Sequence, residues 1–200
     1  YADDWTPLFQ ENLSNAVDKE GVWSFTDGLL EPREDQILWS TRVYETFIID
    51  LEFRLGPGAN SGIIVYGTDF RDWVSRSVEI QLLDDHSEDF KDHYRQGMCG
   101  AIYGHKAPVE THVVREPGKW NRITVECRGP FITVILNGKK VNHFDMRAWT
   151  SSVANPDGSP IPHWLRIPKA ELPTYGHIGL QGKHGKAEVS FRNLRLKVLD

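Results

Sequence analysis

A short polar row in one segment of the chain carries residue types suited to binding or cleaving a sugar. The segment Ser77–Leu83 alternates apolar and polar residues, so Glu79 and Gln81 share one face of a predicted strand. Asn60 lies just before the predicted strand Gly62–Tyr66, and Gln181 ends the predicted strand His177–Gln181 on the face opposite Ile178 and Leu180. Amides and carboxylates bind pairs of hydroxyl groups, and aromatic rings cover the apolar face of a sugar. The pattern indicates a carbohydrate groove, although a solvated sheet face would show the same alternation.

Glu79 is the principal candidate for acid-base chemistry. An ordinary glycosidase needs two opposed carboxyl groups, roughly 5 Å apart for retention or roughly 6.5–9.5 Å apart for inversion. Glu52, Asp84 and Asp85 compete as the second carboxylate, and the sequence alone does not choose among them.

The histidines and cysteines give weaker indications. His86 and His93, with the aspartates at positions 84, 85 and 89, have the ligand types of a divalent cation. Their spacing is not diagnostic, so a solvated loop is the alternative and no other cofactor is expected. Cys99 and Cys127 are interpreted as small buried apolar residues rather than as a disulfide.

The elements that must position these side chains are strands. No window of about 12 residues keeps a helical apolar face without a Gly or Pro. Many short strands predict an all-β protein, a sandwich or jelly roll of two antiparallel sheets. The predicted strands are Phe47–Leu55, Gly62–Tyr66, Ser77–Leu83, Arg122–Cys127, Phe131–Leu136, His177–Gln181 and Ala187–Leu199.

Turns and loops complete this organisation. Asn137-Gly138 predicts a two-residue hairpin, because such turns require positive φ. Two segments, Asp84–Met98 and Arg147–Pro173, lack strand alternation, and the second contains five prolines, Trp149 and Trp164. A loop this long favours a lid or binding loop. No repeat or linker divides the chain, so residues 1–200 are interpreted as one domain.

Composition excludes several classes of function. The formal net charge is −5 and the 23 Lys and Arg residues are scattered, which argues against a nucleic-acid partner. No apolar run approaches the ~20 residues of a membrane span. No secretory signal is visible at the start of the sequence. A small polar ligand is the expected partner.

An ordered series of short motifs resembles one known family. That family is the 3-keto-disaccharide hydrolase domain family, and the resemblance covers nearly the whole chain. The motifs are Trp5–Phe9, Trp23–Gly28, Asn60–Ile63, Glu79–Asp84, Gly100–Tyr103, Gly118–Asn121, Leu136–Gly138, Gly179–Gln181 with His184–Gly185, and Phe191–Leu194.

The resemblance implies a concanavalin-A-like jelly roll, usually secreted or periplasmic in bacteria, that acts on glycosides oxidised at C3. A C3 carbonyl acidifies the neighbouring C2 hydrogen, so a single base can begin cleavage. Glu79 is then the base or the acid, and His184 or Tyr103 can protonate the leaving oxygen. Further substrate contacts are assigned to Arg54, Asn60, Gln81, Asp84, Trp149, Trp164 and Gln181.

Two other classes of function fit the same residues. A carbohydrate-binding module of this fold would keep the polar groove without turnover. A structural or interaction domain would leave the polar rows solvated. Convergence of Glu79, Gln81, Asn60 and Gln181 in one pocket would separate the first two classes from the third.

Overall fold

The computed structural model describes residues 4–17, 21–185 and 187–200. It is built from strands joined by turns and single-turn 3-10 helices. The strands are β1 (Thr6–Pro7), β2 (Ala16–Val17), β3 (Trp23–Thr26), β4 (Leu29–Pro32), β5 (Leu38–Tyr44), β6 (Thr46–Leu55), β7 (Asn60–Gly67), β8 (Val78–Leu83), β9 (Trp120–Arg128), β10 (Phe131–Leu136), β11 (Lys139–Asp145), β12 (Gly176–Leu180) and β13 (Val189–Val198).

These strands form two antiparallel sheets, as the alternating pattern predicts. The larger sheet has eight strands in the order β11-β10-β9-β6-β13-β4-β3, with β1 also paired to β13. The smaller sheet has five strands in the order β2-β5-β12-β7-β8. The all-β, two-sheet fold class is therefore confirmed.

The hydrophobic core lies between the two sheets. In β6 the residues Ile49, Leu51 and Phe53 are fully buried, and in β8 the residues Ile80 and Leu82 are fully buried. Side chains on alternate positions of a strand point to opposite faces. The residues between them, including Glu79 and Gln81, therefore belong to the outer faces of the sheets.

The Asn137-Gly138 hairpin forms as predicted. It joins β10 to β11, and φ is 50° at Asn137 and 82° at Gly138. Positive φ at both central residues gives the turn whose twist matches that of the flanking strands. The Asn137 side chain also donates to Val113 O at 2.8 Å, which ties the turn to the neighbouring loop.

The two segments without strand alternation lack named strands in the structure. Residues 84–98 contain the 3-10 turns Glu88–Phe90 and Arg95–Gly97, and residues 147–173 include Lys169–Glu171. We call residues 147–173 the proline-rich loop. Cys99 and Cys127 are buried and unbonded to each other, as expected for small apolar residues. Within the described residues, no helix has the length and apolar character needed to span a membrane.

Candidate active site

The outer face of the five-stranded sheet forms the floor of a cavity of about 940 Å³. Strands β5, β7 and β8 and the end of β12 supply the floor, and three loops supply the walls. The lining residues are Asp35, Gln36, Ile37, Trp39, Asn60, Phe70, Asp72, Trp73, Val74, Glu79, Gln81, Tyr103, His163, Trp164, Arg166, Gln181 and His184.

Glu79 lies across the neighbouring strand on the floor of this cavity. A Cβ atom at Gly62 would come within 2.4 Å of Glu79 Oε1 and 3.0 Å of its Cγ. Only glycine therefore leaves room for the carboxyl group in this position. Glycine at position 62 therefore allows the Glu79 side chain to lie over the neighbouring strand.

Three amide side chains surround the polar end of the cavity. Gln81 Nε2 donates to Asn60 Oδ1 at 2.6 Å and to Ser61 O at 3.2 Å, so the two amides hold each other in place. Gln181 is 7% exposed, and its Oε1 has no hydrogen-bond partner in the structure. A buried acceptor without a partner is costly. The Gln181 oxygen is therefore well suited to accept a hydrogen bond from a hydroxyl group of a ligand.

His184 and Asp35 form a pair at the same end. His184 Nδ1 lies 2.6 Å from Asp35 Oδ2, and the His184 backbone N–H donates to Asn60 O at 3.0 Å. The close approach of the 34–36 segment depends on Gly182, because a Cβ there would lie 2.1 Å from Glu34 O. A carboxylate that accepts from Nδ1 leaves Nε2 as the basic nitrogen of the imidazole.

The electrostatics of Glu79 differ from those of an exposed carboxyl group. The pKa of Glu79 is raised to about 8, chiefly by burial, with a smaller lowering effect of Lys169 and a smaller raising effect of Asp35. Glu79 is consequently protonated over most of the neutral range and can donate a proton.

Aromatic side chains line the other end of the cavity. Trp39 stacks on Phe70 with ring centroids 4.8 Å apart and planes 12° apart. The Trp39 ring fits against the sheet because Gly67 and Gly179 lack a Cβ, which would lie within 3 Å of the ring. Trp164, in the proline-rich loop, is 45% exposed. This arrangement offers apolar ring surface next to the polar end.

The structure brings together seven of the ten side chains predicted for the site. The cavity is lined by Asn60, Glu79, Gln81, Tyr103, Trp164, Gln181 and His184. Their catalytic or binding roles stay predictions, but their convergence is what a groove requires and a solvated sheet face lacks.

The other three predicted residues lie outside this cavity. Arg54 belongs to the eight-stranded sheet, where its guanidinium lies over the Trp120 ring. Asp84 is buried and accepts hydrogen bonds from the backbone N–H groups of Gly58 and His86. Trp149 turns into the core, where its ring lies 4.2 Å from that of Phe144 and its Nε1 donates to Asn155. These three side chains therefore do not join the other seven in the cavity, and their predicted contacts with a substrate stay predictions.

Several cavity residues have no counterpart in the prediction from sequence. Asp35 precedes a strand whose alternation is broken, and Trp39 lies within that strand, β5. Phe70, Asp72 and Arg166 come from loops, where no periodicity marks a face. The number of tryptophans is the sequence feature that could have indicated an aromatic lining, because an aromatic-rich chain must place some rings at a surface.

The acidic and histidine-rich segment 84–93 does not assemble a metal site. No group of three or more His, Cys, Asp or Glu side chains able to hold an ion occurs within residues 4–17, 21–185 and 187–200. Asp85 instead accepts from the backbone of Cys99 and His112, and His86 Nε2 contacts Val114 O.

Comparison with known proteins identifies the family of this chain. The model of the 3-keto-alpha-glucoside-1,2-lyase-like domain matches residues 4–197. The chain belongs to this family. None of the curated proteins matches the chain.

Solved structures related to this family member agree on the fold. A predicted glycosyl hydrolase from Parabacteroides distasonis is 51% identical, with 98% of this chain and 99% of that chain covered and a TM-score of 0.95. A second predicted glycosyl hydrolase from the same organism is 24% identical over 98% and 89% of the two chains, with a TM-score of 0.73. The carbohydrate-binding module CBM66 from Bacillus subtilis is 12% identical over 94% and 99%, with a TM-score of 0.55, and this likeness concerns the fold alone.

Proposed function

We propose that this protein cleaves the glycosidic bond of 3-keto-glycosides. The observation that carries the proposal is the placement of Glu79, whose carboxyl group is protonated at neutral pH, in the same cavity as the Asp35–His184 pair. Cleavage beside a ketone needs one base and one acid rather than two opposed carboxylates. Membership of the 3-keto-alpha-glucoside-1,2-lyase-like family supports the substrate class.

His184 is the proposed base. Its Nε2 removes the proton at C2 of the sugar, which the C3 ketone acidifies, while Asp35 stabilises the imidazolium that forms. The electron pair of the C2–H bond becomes the C1=C2 double bond, and the bond from C1 to the leaving oxygen breaks. Addition of water at C1 would complete hydrolysis, and without that step the reaction is an elimination.

Glu79 is the proposed acid. It gives its proton to the leaving oxygen, so the leaving group departs as a neutral alcohol. The pKa of Glu79 favours this role over that of base, which the sequence leaves open. Tyr103 lines the same cavity, and its backbone N–H donates to Glu79 O at 2.9 Å.

The remaining cavity residues are proposed to hold the two parts of the substrate. The amides of Asn60, Gln81 and Gln181 bind hydroxyl groups and the C3 oxygen of the ring that reacts. Phe70, which is 39% exposed, and Trp164 present ring surface to the leaving group. Export to the periplasm or the exterior is proposed from the family resemblance alone.

The test is turnover of a 3-keto-glycoside and of the matching unoxidised glycoside. Wild type should cleave the first far faster, because only its C2 hydrogen is acidic. Glu79→Gln should lose roughly 10²–10⁴ in kcat, with binding retained in calorimetry. Glu171→Gln, an exposed glutamate of the proline-rich loop, is the matched control and should behave as wild type.

Two results would contradict the proposal. Equal rates on the two sugars would favour ordinary hydrolysis with two carboxylates. Binding of the sugar with no turnover by wild type would favour a carbohydrate-binding module.

A further inference from the structure

A buried lysine lies close to the strand that carries Glu79 but does not line the cavity. Lys169 begins the 3-10 turn Lys169–Glu171 of the proline-rich loop and is 2% exposed. Its Nζ donates to Ser77 O at 2.7 Å, two residues before Glu79 on the chain. It does not line the cavity. Direct contact with a ligand therefore does not explain why a cation is buried here.

The buried ammonium group has no close ion-pair partner among the residues that the structure describes. No carboxylate oxygen of these residues lies within 4 Å of Lys169 Nζ. Thirteen other pairs of a basic and an acidic side chain do approach within that distance among them. Burial lowers the pKa of Lys169 to about 8, and the one charge that opposes this effect is Glu79. An unpaired buried charge is expensive, so its presence calls for a role.

We propose that Lys169 is a positioning residue that acts through Glu79, because its buried ammonium stabilises the carboxylate left behind when Glu79 gives up its proton. The inference rests on the proposed role of Glu79 as an acid. Lys169 is almost fully buried, and a buried charge of opposite sign acts more strongly on a neighbouring group than one at the surface. Lys169 therefore assists proton transfer without touching the substrate.

The other titratable groups around Glu79 do not supply this charge. Asp35 acts in the opposite direction, because it raises the pKa of Glu79. Tyr94 has its pKa raised by burial and, in part, by Glu79 itself, so it is neutral. His105 is also neutral, since burial and Lys169 lower its pKa to about 3. His163, His184, Tyr103 and Arg166 line the same cavity, where His184 is paired with Asp35 and Arg166 with Asp72. Within the part of the chain that the structure describes, Lys169 is the one cation that lowers the pKa of Glu79.

The first experiment measures the pH dependence of turnover in Lys169→Met. Methionine replaces the buried stem of lysine without its charge. Loss of the cation should raise the pKa of Glu79 by about one pH unit, so the alkaline limb of the kcat profile should move to higher pH. We expect kcat near neutral pH to fall about 10-fold with KM within about 2-fold of wild type, since Lys169 lies outside the cavity.

Lys106→Met is the matched control. Lys106 also donates from Nζ to a backbone carbonyl, that of His143, and lies near the proline-rich loop over the Trp149 ring. It has no role in the proposed chemistry, so its pH profile should equal that of wild type. A Lys169→Met profile that coincides with that of wild type would overturn the inference, as would the same shift in Lys106→Met.

A second measurement does not depend on turnover or on Lys169→Met folding. The proton titration of Lys169, followed by NMR of its side-chain carbon atoms, is compared between wild type and Glu79→Gln. Removal of the opposing carboxylate should lower the pKa of Lys169 further. An unchanged titration would overturn the inference even if the enzyme is active. A shifted titration in a protein that cleaves no 3-keto-glycoside would uphold the charge coupling and reject the proposed function.

Discussion

Glu79 shows how a single carboxyl group acquires chemistry from its surroundings. It lies in a strand position that would be solvated on a flat sheet, but here loop residues line the same cavity around it. The absence of a side chain at Gly62 leaves space for it on the floor of the cavity. Desolvation disfavours the ionised form. The burial that raises the pKa of Glu79 therefore also costs folding stability whenever the side chain is ionised. In the proposed mechanism the same burial prepares Glu79 to donate a proton.

This cost predicts a pH-dependent difference in stability. The pKa of Glu79 is about 8 in the folded protein, against an ordinary value of 4.5. A raised pKa means that stability is fully present below about 4.5 and is lost as the pH rises toward about 8. The Tm of wild type should therefore fall relative to that of Glu79→Gln between pH 5 and pH 7 in thermal unfolding. Glu171→Gln should follow wild type, and parallel curves for wild type and Glu79→Gln would contradict the prediction.

At the level of elements, strand alternation predicted part of the site. It placed Glu79 and Gln81 on one face and Ile80 and Leu82 in the core, and it located β6 to β10, β12 and β13 to within a few residues. Strands β3, β4 and β5 were not predicted, because they are short or have broken alternation, as in β5. Asp35 and Lys169 reach the site through contacts between distant segments, which no local pattern encodes.

Two glycines of the five-stranded sheet lie next to different ends of the cavity. A methyl group at Gly62 meets the Glu79 side chain, whereas one at Gly179 meets Trp39 and Ile37. Gly62→Ala should therefore lower kcat by displacing the acid. Gly179→Ala should mainly raise KM by displacing the aromatic ring. Steady-state kinetics of the two variants test this difference, and identical effects on kcat and KM would argue against separate subsites.

The position of Trp164 in the proline-rich loop predicts a fluorescence change on ligand binding. Trp164 borders the cavity, so addition of a 3-keto-glycoside should change the tryptophan fluorescence, and Trp164→Phe should lose most of that change. Trp120→Phe is the matched control, because Trp120 lies on the eight-stranded sheet between Arg54 and Arg192. A full signal in Trp164→Phe would remove this residue from the proposed leaving-group contact.

At the scale of the whole molecule, the core residues of both sheets belong to one cluster. Cys99 and Cys127 are both part of it, and burial raises the pKa of both thiols. We propose on this basis that the chain is one domain, as the absence of a linker predicts. Neither thiol should react with a chromogenic disulfide reagent in the native state.

The two thiols should become reactive together. Their labelling is followed against urea concentration, with tryptophan fluorescence as the reference for unfolding. If the core unfolds as one unit, both labelling midpoints should coincide with the fluorescence midpoint. Reaction of one thiol at clearly lower urea would indicate that two parts of the chain unfold separately.

The position of β12 sets an order of events during synthesis. This strand lies between β5 and β7, yet it follows β7 by more than a hundred residues in the chain. Until β12 has been synthesised, β5 and β7 each expose an unpaired edge, and such edges invite pairing with other chains. His184 follows β12 and reaches Asp35 later still. The Asp35–His184 pair of the proposed mechanism therefore forms only after the middle of the smaller sheet has been filled. We accordingly expect a fragment that stops before β12 to cleave no 3-keto-glycoside.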